Sequence, residues 1–261
     1  MKRRSVLSAL AIGAAALSLS LPSHADALDN VLKSRTLRVA VPQDFPPFGS
    51  VGSDMKPVGY DIDMAKLIGQ ELGVVVEIVP VTSANRIPYL TTNKVDLVIS
   101  SLGKNPEREK VLDFSTAYAP FFNGVFGAGS QKIAKADDLA GKTVGVTRGA
   151  IEDLELTKIA PPSAVIKRFE DNNTTISAYL SGQVPLVATG NVVAASISEK
   201  QPNKKLEVKF LIKNSPCYIG LNKNEPKLLE RINAIIAKAK QDGSLNRIAM
   251  KWMKAPLPAG L

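Results

Sequence analysis

The chain has 261 residues, of which 45% are hydrophobic and 22% are charged, and its formal net charge is +9. It has one cysteine, Cys217, so it cannot form an internal disulfide, and no cluster of His, Cys and carboxylate residues suggests a metal site. The basic residues are scattered and are not interleaved with aromatic residues, and no phosphate-binding loop is present. The sequence therefore predicts neither nucleic-acid binding nor a cofactor.

The first 25 residues have the pattern of a secretory signal peptide. A basic start at residues 2–4 precedes an apolar run at 7–21, and Ser23-His24-Ala25 is a small-x-small cleavage sequence. We expect cleavage near Ala25 and export to the periplasm. The remaining chain keeps 33 − 3 = 30 basic and all 24 acidic residues, a net charge of +6, and has no histidine.

The next elements alternate between helix and strand. A helix at 26–35, a strand at 37–41, a helix at 61–72 that begins at the capping residue Asp61, and a strand at 74–79 are predicted from periodicity. The proline-rich loop that follows the first strand carries Phe45 and Phe48. We expect Phe48 to pack in the loop, whereas Phe45 fits packing and an aromatic wall over a ligand equally well.

The stretch from Ser83 to Arg108 combines a short helix, a buried strand and a polar turn. The apolar strand, 95–99, is followed by Ser100 and Ser101, and Asn105-Pro106 then resembles the capped start of a helix. Open α/β sheets bind ligands at the carboxyl ends of their strands, and helix N-termini favour anions. With the guanidinium groups of Arg86 and Arg108 nearby, the stretch predicts a carboxylate-binding site.

The second half of the chain repeats the α/β pattern after a glycine-containing crossing at 121–129. The predicted strands are 143–146, 165–169, 184–188, 206–212 and 217–221, and the predicted helices begin near 151, at 175, at 192, at 226 and after Gly243. The pattern indicates an α/β protein of two lobes that are joined by two crossings, with the C-terminal helices completing the first lobe.

At this point the sequence resembles a known family, the periplasmic polar-amino-acid-binding proteins of ABC transporters, which are the extracellular solute-binding proteins of family 3. The resemblance covers the whole chain after the signal peptide, and the run Asn85-Arg86-Ile87-Pro88 is most similar to the glutamate/aspartate-binding branch. Its markers are Gly59-Tyr-Asp-Ile-Asp63, Val95-Asp96, Glu107-Arg108, Asp113-Phe-Ser115, Leu139-Ala-Gly-Lys-Thr-Val-Gly-Val146, Asp242-Gly243 and Lys251-Trp252.

The resemblance implies the two-lobed periplasmic-binding-protein fold of type II, with a ligand cleft between lobes joined by two hinge strands. Lobe 1 would comprise residues 26–122 and 213–261, and lobe 2 residues 123–212. In such a protein Arg108 would grip the α-carboxylate of the ligand, and Arg86 would bind a side-chain carboxylate. The residues expected to assist them are Ser83, Ser100, Ser101 and Gly103.

The sequence departs from the family pattern in the second lobe. Gly190 stands where the family usually has an aspartate that pairs with the ligand's ammonium. Either Glu152 or Asp171 would replace it, or the ligand has no α-ammonium. Asn173 is a further candidate for ligand contact. A second arginine that is typical of the acidic branch would fall near Pro42, which argues against strict glutamate specificity.

The expected function is that of a monomeric, non-enzymatic binding protein that delivers a small carboxylate, a polar or acidic amino acid, to an inner-membrane ABC permease. An alternative is a cyclohexadienyl dehydratase, which resembles the same family and would use Glu152 beside Arg148 as a general acid. A further alternative is a sensor that presents its ligand to a membrane receptor.

Overall fold

The structure, a computed structural model, describes residues 26–261, so the predicted signal peptide lies outside the described residues. The described chain forms two five-stranded sheets and one small three-stranded sheet, surrounded by helices. The helices are α1 Ala27–Ser34, α2 Tyr60–Leu72, α3 Arg86–Thr91, α4 Pro106–Glu109, α5 Ile151–Ile159, α6 Asn172–Leu180, α7 Asn191–Lys200, α8 Pro226–Gln241 and α9 Ser244–Met253. Within residues 26–261, none of the helices has the length and apolar character that a membrane span requires.

The first five-stranded sheet has the order β5-β1-β6-β13-β7. The pairs β1–β5 and β1–β6 are parallel, and β13 runs antiparallel to both of its neighbours. The apolar stripes of α8 and α9 pack with α2 and this sheet in one large core, as their helical periodicity predicts. Its strands are β1 Thr36–Pro42, β5 Val75–Val81, β6 Leu97–Leu102, β7 Leu112–Phe114 and β13 Tyr218–Asn222.

The second five-stranded sheet has the order β10-β9-β11-β8-β12. The pairs β9–β10 and β9–β11 are parallel, whereas β8 is antiparallel to both β11 and β12. Two separate hydrophobic clusters cover its two faces. Its strands are β8 Phe122–Gly127, β9 Thr143–Thr147, β10 Val165–Phe169, β11 Leu186–Gly190 and β12 Glu207–Asn214.

Two extended crossings connect the two sheets and lie side by side. Cys217 donates its backbone N–H to the carbonyl of Ala119 at 2.9 Å, and Ser215 donates to the carbonyl of Phe121 at 3.0 Å. Each sheet with its helices forms one lobe, and the cleft between the lobes lies beside these crossings. The predicted α/β fold of two lobes is confirmed.

The structure corrects several predicted boundaries. Strand β6 continues through Ser100 and Ser101 to Leu102, because its register with β13 persists beyond the apolar run. Helix α2 begins after Gly59, so Asp61 lies inside it and does not cap it. A small sheet that was not predicted begins in the proline-rich loop and extends beyond it, and its strands are too short for a periodicity to show. These strands are β2 Asp44–Phe45, β3 Gly49–Val51 and β4 Pro57–Val58.

Candidate functional site

A small cavity of about 10 Å³ lies between the lobes. The first lobe contributes side chains from β2, α3 and β6, and the second lobe contributes the N-terminal ends of α5 and α6. The polar lining groups therefore come from both lobes. The lining residues are Phe45, Ser83, Arg86, Ser101, Phe121, Ala150, Ile151, Glu152 and Asn172.

Arg86 is the first residue of α3, and its side chain is buried under the cavity. One Nη donates to the carbonyl of Ser100, whereas the buried Nε has no hydrogen-bond partner. Burial lowers the pKa of Arg86, and the nearby carboxylate of Glu152 opposes that shift. The guanidinium therefore retains unused donor capacity beside the cavity.

Arg108 lies at the edge of the cavity and not in its lining. Asn105 caps α4 as predicted, because its Oδ1 accepts the backbone N–H of Arg108 at 2.9 Å. The guanidinium donates to the carbonyl of Gly103 at 2.6 Å and, across the cleft, to the carbonyl of Gly149 at 2.9 Å. Its Nε is buried without a partner, and burial, followed by the charge of Arg86, lowers the pKa of Arg108 to about 9.

The carboxyl end of β6 is held by a buried carboxylate, that of Asp61. Oδ2 of Asp61 accepts the backbone N–H of Ser101 at 2.7 Å, and Oδ1 accepts the hydroxyl of Tyr118 at 2.6 Å. Burial raises the pKa of Asp61 to about 7. This support was missed in the sequence, where the position of Asp61 near a helix start suggested a cap.

Glu152 is the acidic residue that the second lobe contributes to the lining of the cavity. It lies at the start of α5, and its Oε2 accepts Nδ2 of Asn123 at 2.9 Å. Burial raises the pKa of Glu152 to about 7, against the effects of its own helix N–H, Arg86 and Arg108. Glu152 and Arg86 share the cavity although neither donates to or accepts from the other within the hydrogen bonds of residues 26–261.

The remaining predicted positions are divided between the cavity and its surroundings. Ser83, Ser101 and Phe45 line the cavity, whereas Ser100 contributes its carbonyl to Arg86. Gly103 lies at the contact between lobes, where a Cβ would come within 3.2 Å of the Ile151 side chain.

Two predicted residues of the second lobe lie outside the cavity. Asn173 is exposed, because the first turn of α6 presents its neighbour Asn172 to the cavity instead. Asp171 caps α6 through the backbone N–H of Thr174 at 2.7 Å and does not line the cavity. Which residues of a first helical turn face inward depends on the residue at which the helix begins. The sequence did not determine that residue for α6.

Gly190 is covered by the ring of Phe121, a residue that the sequence did not single out. A Cβ on Gly190 would lie 1.8 Å from Cζ of Phe121. The ring also packs edge-on against Phe48, with centroids 5.3 Å apart, and lies 6.3 Å from Phe45. An aromatic ring from the crossing thus occupies the place of a side chain at the end of β11.

Within residues 26–261 no group of three or more His, Cys, Asp or Glu side chains could hold a metal ion. The polar atoms of the cavity are guanidinium, carboxylate, amide and hydroxyl groups. Such groups bind charged organic molecules through charge-assisted hydrogen bonds.

The family model described as "Bacterial extracellular solute-binding proteins, family 3" matches residues 37–255 of this chain. The L-cystine-binding protein TcyJ of Escherichia coli is 27% identical over 257 residues, which cover 97% of this chain and 96% of that protein. A solved cysteine-binding protein from Campylobacter jejuni superposes with a TM-score of 0.82 at 26% identity, covering 90% of this chain and 96% of that one. An ancestral arginine-binding protein bound to arginine is 35% identical, with a TM-score of 0.78 over 83% of this chain and 97% of that chain.

Other relatives are named as glutamine-, arginine-, and glutamate/aspartate-binding proteins, so the comparisons do not single out the glutamate/aspartate branch. All of these names describe binding and none describes catalysis. The chain belongs to the bacterial extracellular solute-binding proteins of family 3, and it is a binding protein and not an enzyme.

Proposed function

We propose that the protein binds a polar or acidic amino acid in the periplasm and delivers it, as a monomer, to an ABC permease. The observation that carries this proposal is the pair of buried charges in the cavity. Arg86 of one lobe and Glu152 of the other are 4% and 3% exposed, and each keeps hydrogen-bonding capacity that the protein does not use. A polar or acidic amino acid carries complementary groups, an ammonium for Glu152 and a polar or carboxylate side chain for Arg86.

The site chemistry supports separate roles for the charged groups. A guanidinium presents a planar fork that suits a carboxylate, so Arg108 would bind the α-carboxylate with the backbone N–H of Gly103 and the hydroxyls of Ser83 and Ser101. Arg86 would bind a second carboxylate or a polar side chain. Glu152 would accept hydrogen bonds from the ligand's ammonium. In this role it would replace the acidic side chain that Gly190 lacks.

Aromatic rings would limit the size of the ligand. Phe45 and Phe121 both line the cavity, and their centroids lie 6.3 Å apart. These two rings would exclude water from the proposed ion pairs between the ligand and the protein. Charge-assisted hydrogen bonds are stronger where water is excluded. Because the closed lobes leave little free space between them, we expect a ligand with a compact side chain to bind better than one with a long side chain.

Delivery requires that the lobes open. We propose that residues 26–122 with 213–261 move as one body and residues 123–212 as the other, with the paired crossings at Ala119 and Cys217 as the hinge. In the open form water would return to the guanidinium groups and weaken the ion pairs. The closed form is the one that a permease would recognise.

Calorimetric titration with matched ligands tests the proposal. The panel is a set of polar and acidic amino acids, their deaminated analogues and their decarboxylated amines. We expect amino acids to bind while analogues that lack either charged group lose at least about 100-fold in affinity, since a buried charge is left unpaired.

Two isosteric variants sharpen this experiment. Glu152→Gln should lose the preference for the amino acid over its deaminated analogue, whereas Glu170→Gln should keep it because Glu170 is an exposed partner of Arg148. Equal binding of an amino acid and its deaminated analogue by the unmodified protein would contradict the proposed role of Glu152.

A further inference from the structure

A buried hydrogen-bonded contact joins the two lobes beside the cavity. Oδ2 of Asp44 on β2 accepts the backbone N–H of Asn172 at 2.7 Å, and Oδ1 accepts Nδ2 of the same residue at 3.1 Å. Asp44 is 8% exposed and Asn172 is 6% exposed. One carboxylate thus makes two bonds to the first residue of α6 across the cleft.

The orientation of Asn172 is fixed from the opposite side as well. Its Oδ1 accepts the hydroxyl of Thr147 at 2.9 Å, and that hydroxyl lies 2.7 Å from the hydroxyl of Thr175. The amide nitrogen must therefore face Asp44. Because Asn172 also lines the cavity, the contact connects the small sheet of lobe 1 to the ligand-facing end of α6.

The position of this carboxylate is electrostatically favourable. The first N–H groups of a helix have no partner inside the helix and carry a partial positive charge. Asp171 satisfies the N–H of Thr174 from within lobe 2, and Asp44 satisfies the N–H of Asn172 from lobe 1. These two backbone N–H groups of the first turn of α6 therefore both have carboxylate acceptors only when the lobes are together.

Other polar contacts between the lobes are more exposed. Lys158 bridges to Glu107 at 3.2 Å, but their side chains are 46% and 59% exposed, so water competes with this pair in both arrangements. The contact of Arg108 with Gly149 is partly buried, and it involves a residue of the proposed ligand site. Among residues 26–261, Asp44 is the buried carboxylate that bonds across the cleft and that the proposed ligand contacts do not use.

We propose that Asp44 is a positioning residue that holds α6 against lobe 1 and so sets how often the lobes close and how tightly the ligand is retained. The effect on affinity rests on the proposed function, whereas the effect on closure does not. Opening separates Asp44 from Asn172 and exposes both to water, so their bonds stabilise the closed form alone. Apparent affinity scales with the fraction of molecules that are competent to close.

Single-molecule fluorescence transfer without ligand tests the closure step. Dyes on cysteines that replace Met55 and Val165, which are 82% and 54% exposed, report on one lobe each, and Cys217 is fully buried. Asp44→Asn keeps the shape of the side chain but turns an NH₂ group toward donors. We expect the ratio of closed to open molecules to fall about tenfold, the size of losing a charged hydrogen bond.

Asp171→Asn is the matched control, because it alters a carboxylate at the same helix start that does not cross the cleft. It should leave the closed fraction unchanged. If Asp44→Asn gives a poorly folded protein, Asn172→Ala removes the Nδ2 donor from the other lobe and should lower the closed fraction in the same direction. A closed fraction in Asp44→Asn equal to that of Asp171→Asn would overturn the proposal.

Dissociation kinetics provide the second measurement. With an amino acid that binds the unmodified protein, Asp44→Asn should release it about tenfold faster, while the association rate changes little. Unchanged release would overturn the effect on retention. If no amino acid binds, the proposed function fails, and the ligand-free fluorescence measurement still decides the role of Asp44.

Discussion

The two arginines of the site have different structural positions, and these lead to different expectations. Arg108 joins the end of β6 to the loop of the second lobe through two carbonyl groups. Arg86 lies under the cavity with a single hydrogen bond to Ser100. Arg108 is therefore tied to closure as well as to the ligand, whereas Arg86 acts mainly on the molecule inside the cavity.

Truncating Arg108 should abolish binding and leave the fold intact. Arg108→Ala removes a charged partner of the proposed α-carboxylate, so we expect an affinity loss of at least about 100-fold. Its helix lies at the cleft, outside the clusters of buried apolar side chains, so the ligand-free melting temperature should change little. Calorimetry and thermal unfolding measure the two effects.

The control for this variant is Arg231→Ala, whose guanidinium donates to the carbonyl of Glu71 on the surface. It should keep full affinity. Retained affinity in Arg108→Ala would refute the assignment of this residue to the ligand.

Arg86→Ala should weaken acidic amino acids more than neutral ones. The reason is that a second carboxylate on the ligand would lose its charged partner, whereas a neutral side chain would lose only a hydrogen bond. Competitive titration of the variant with both kinds of amino acid measures the difference. An equal loss for acidic and neutral ligands would contradict the proposed role.

At the scale of elements, the end of β11 and the crossing that enters β8 depend on each other. Gly190 has an ordinary φ of −80°, so the glycine is required by contact with Phe121 and not by backbone conformation. The ring is in turn packed among other aromatic side chains. One aromatic residue therefore determines which side chains the end of β11 can carry.

A double-mutant cycle measures this dependence. Gly190→Ala should lower the free energy of unfolding by about 2 kcal/mol, because its Cβ would overlap the Phe121 ring. Phe121→Ala should cost about 3–4 kcal/mol by leaving a cavity. In the double variant the cost of the alanine at position 190 should disappear, and urea unfolding would measure the coupling. Additive losses would show that the two residues do not constrain each other.

At the scale of the whole molecule, the cleft buries charges of both signs, and this couples stability and binding to pH. Glu152 faces Arg86, Arg108 and Asp153, and burial still raises its pKa from 4.5 to about 7. The folded chain therefore holds a proton that the unfolded chain releases. This stabilisation is complete below about pH 4.5 and is lost as the pH rises through about 7.

Without ligand, the protein should lose about 2 kcal/mol of stability between pH 5 and pH 8 through this group. The pKa of Asp61 is raised in the same direction, whereas the exposed carboxyls of Glu107 and Asp242 have lowered pKa values and titrate below this window. In Glu152→Gln the melting temperature should fall less steeply between pH 5 and pH 8. An unchanged slope would contradict the assignment of this pH dependence to Glu152.

Ligand affinity should have the opposite dependence on pH. A protonated Glu152 cannot pair with an ammonium, so affinity should fall by up to about tenfold per pH unit below pH 7. Titration calorimetry across this range measures the trend, and Glu152→Gln should remove it. An affinity that does not change with pH in the unmodified protein would separate Glu152 from the ligand.

The sequence by itself determined the features that depend on neighbouring residues. The alternation of apolar strands and amphipathic helices predicted two α/β lobes, and Asn105-Pro106 predicted the capped start of α4. Family markers along the chain predicted the family to which it belongs. These signals were readable because periodicity and capping act over a few residues.

Only the tertiary structure decided how the cleft is built. It placed Glu152 in the same cavity as Arg86, and it directed Asn172 toward the cavity and Asn173 away from it. It also packed the ring of Phe121 against Gly190. Asp61 hydrogen-bonds to the end of β6. Each of these facts depends on contact between residues that are distant in the sequence or on the exact start of a helix. Local patterns carry no information about such contacts, because they are fixed by how the sheets pack and how the lobes meet.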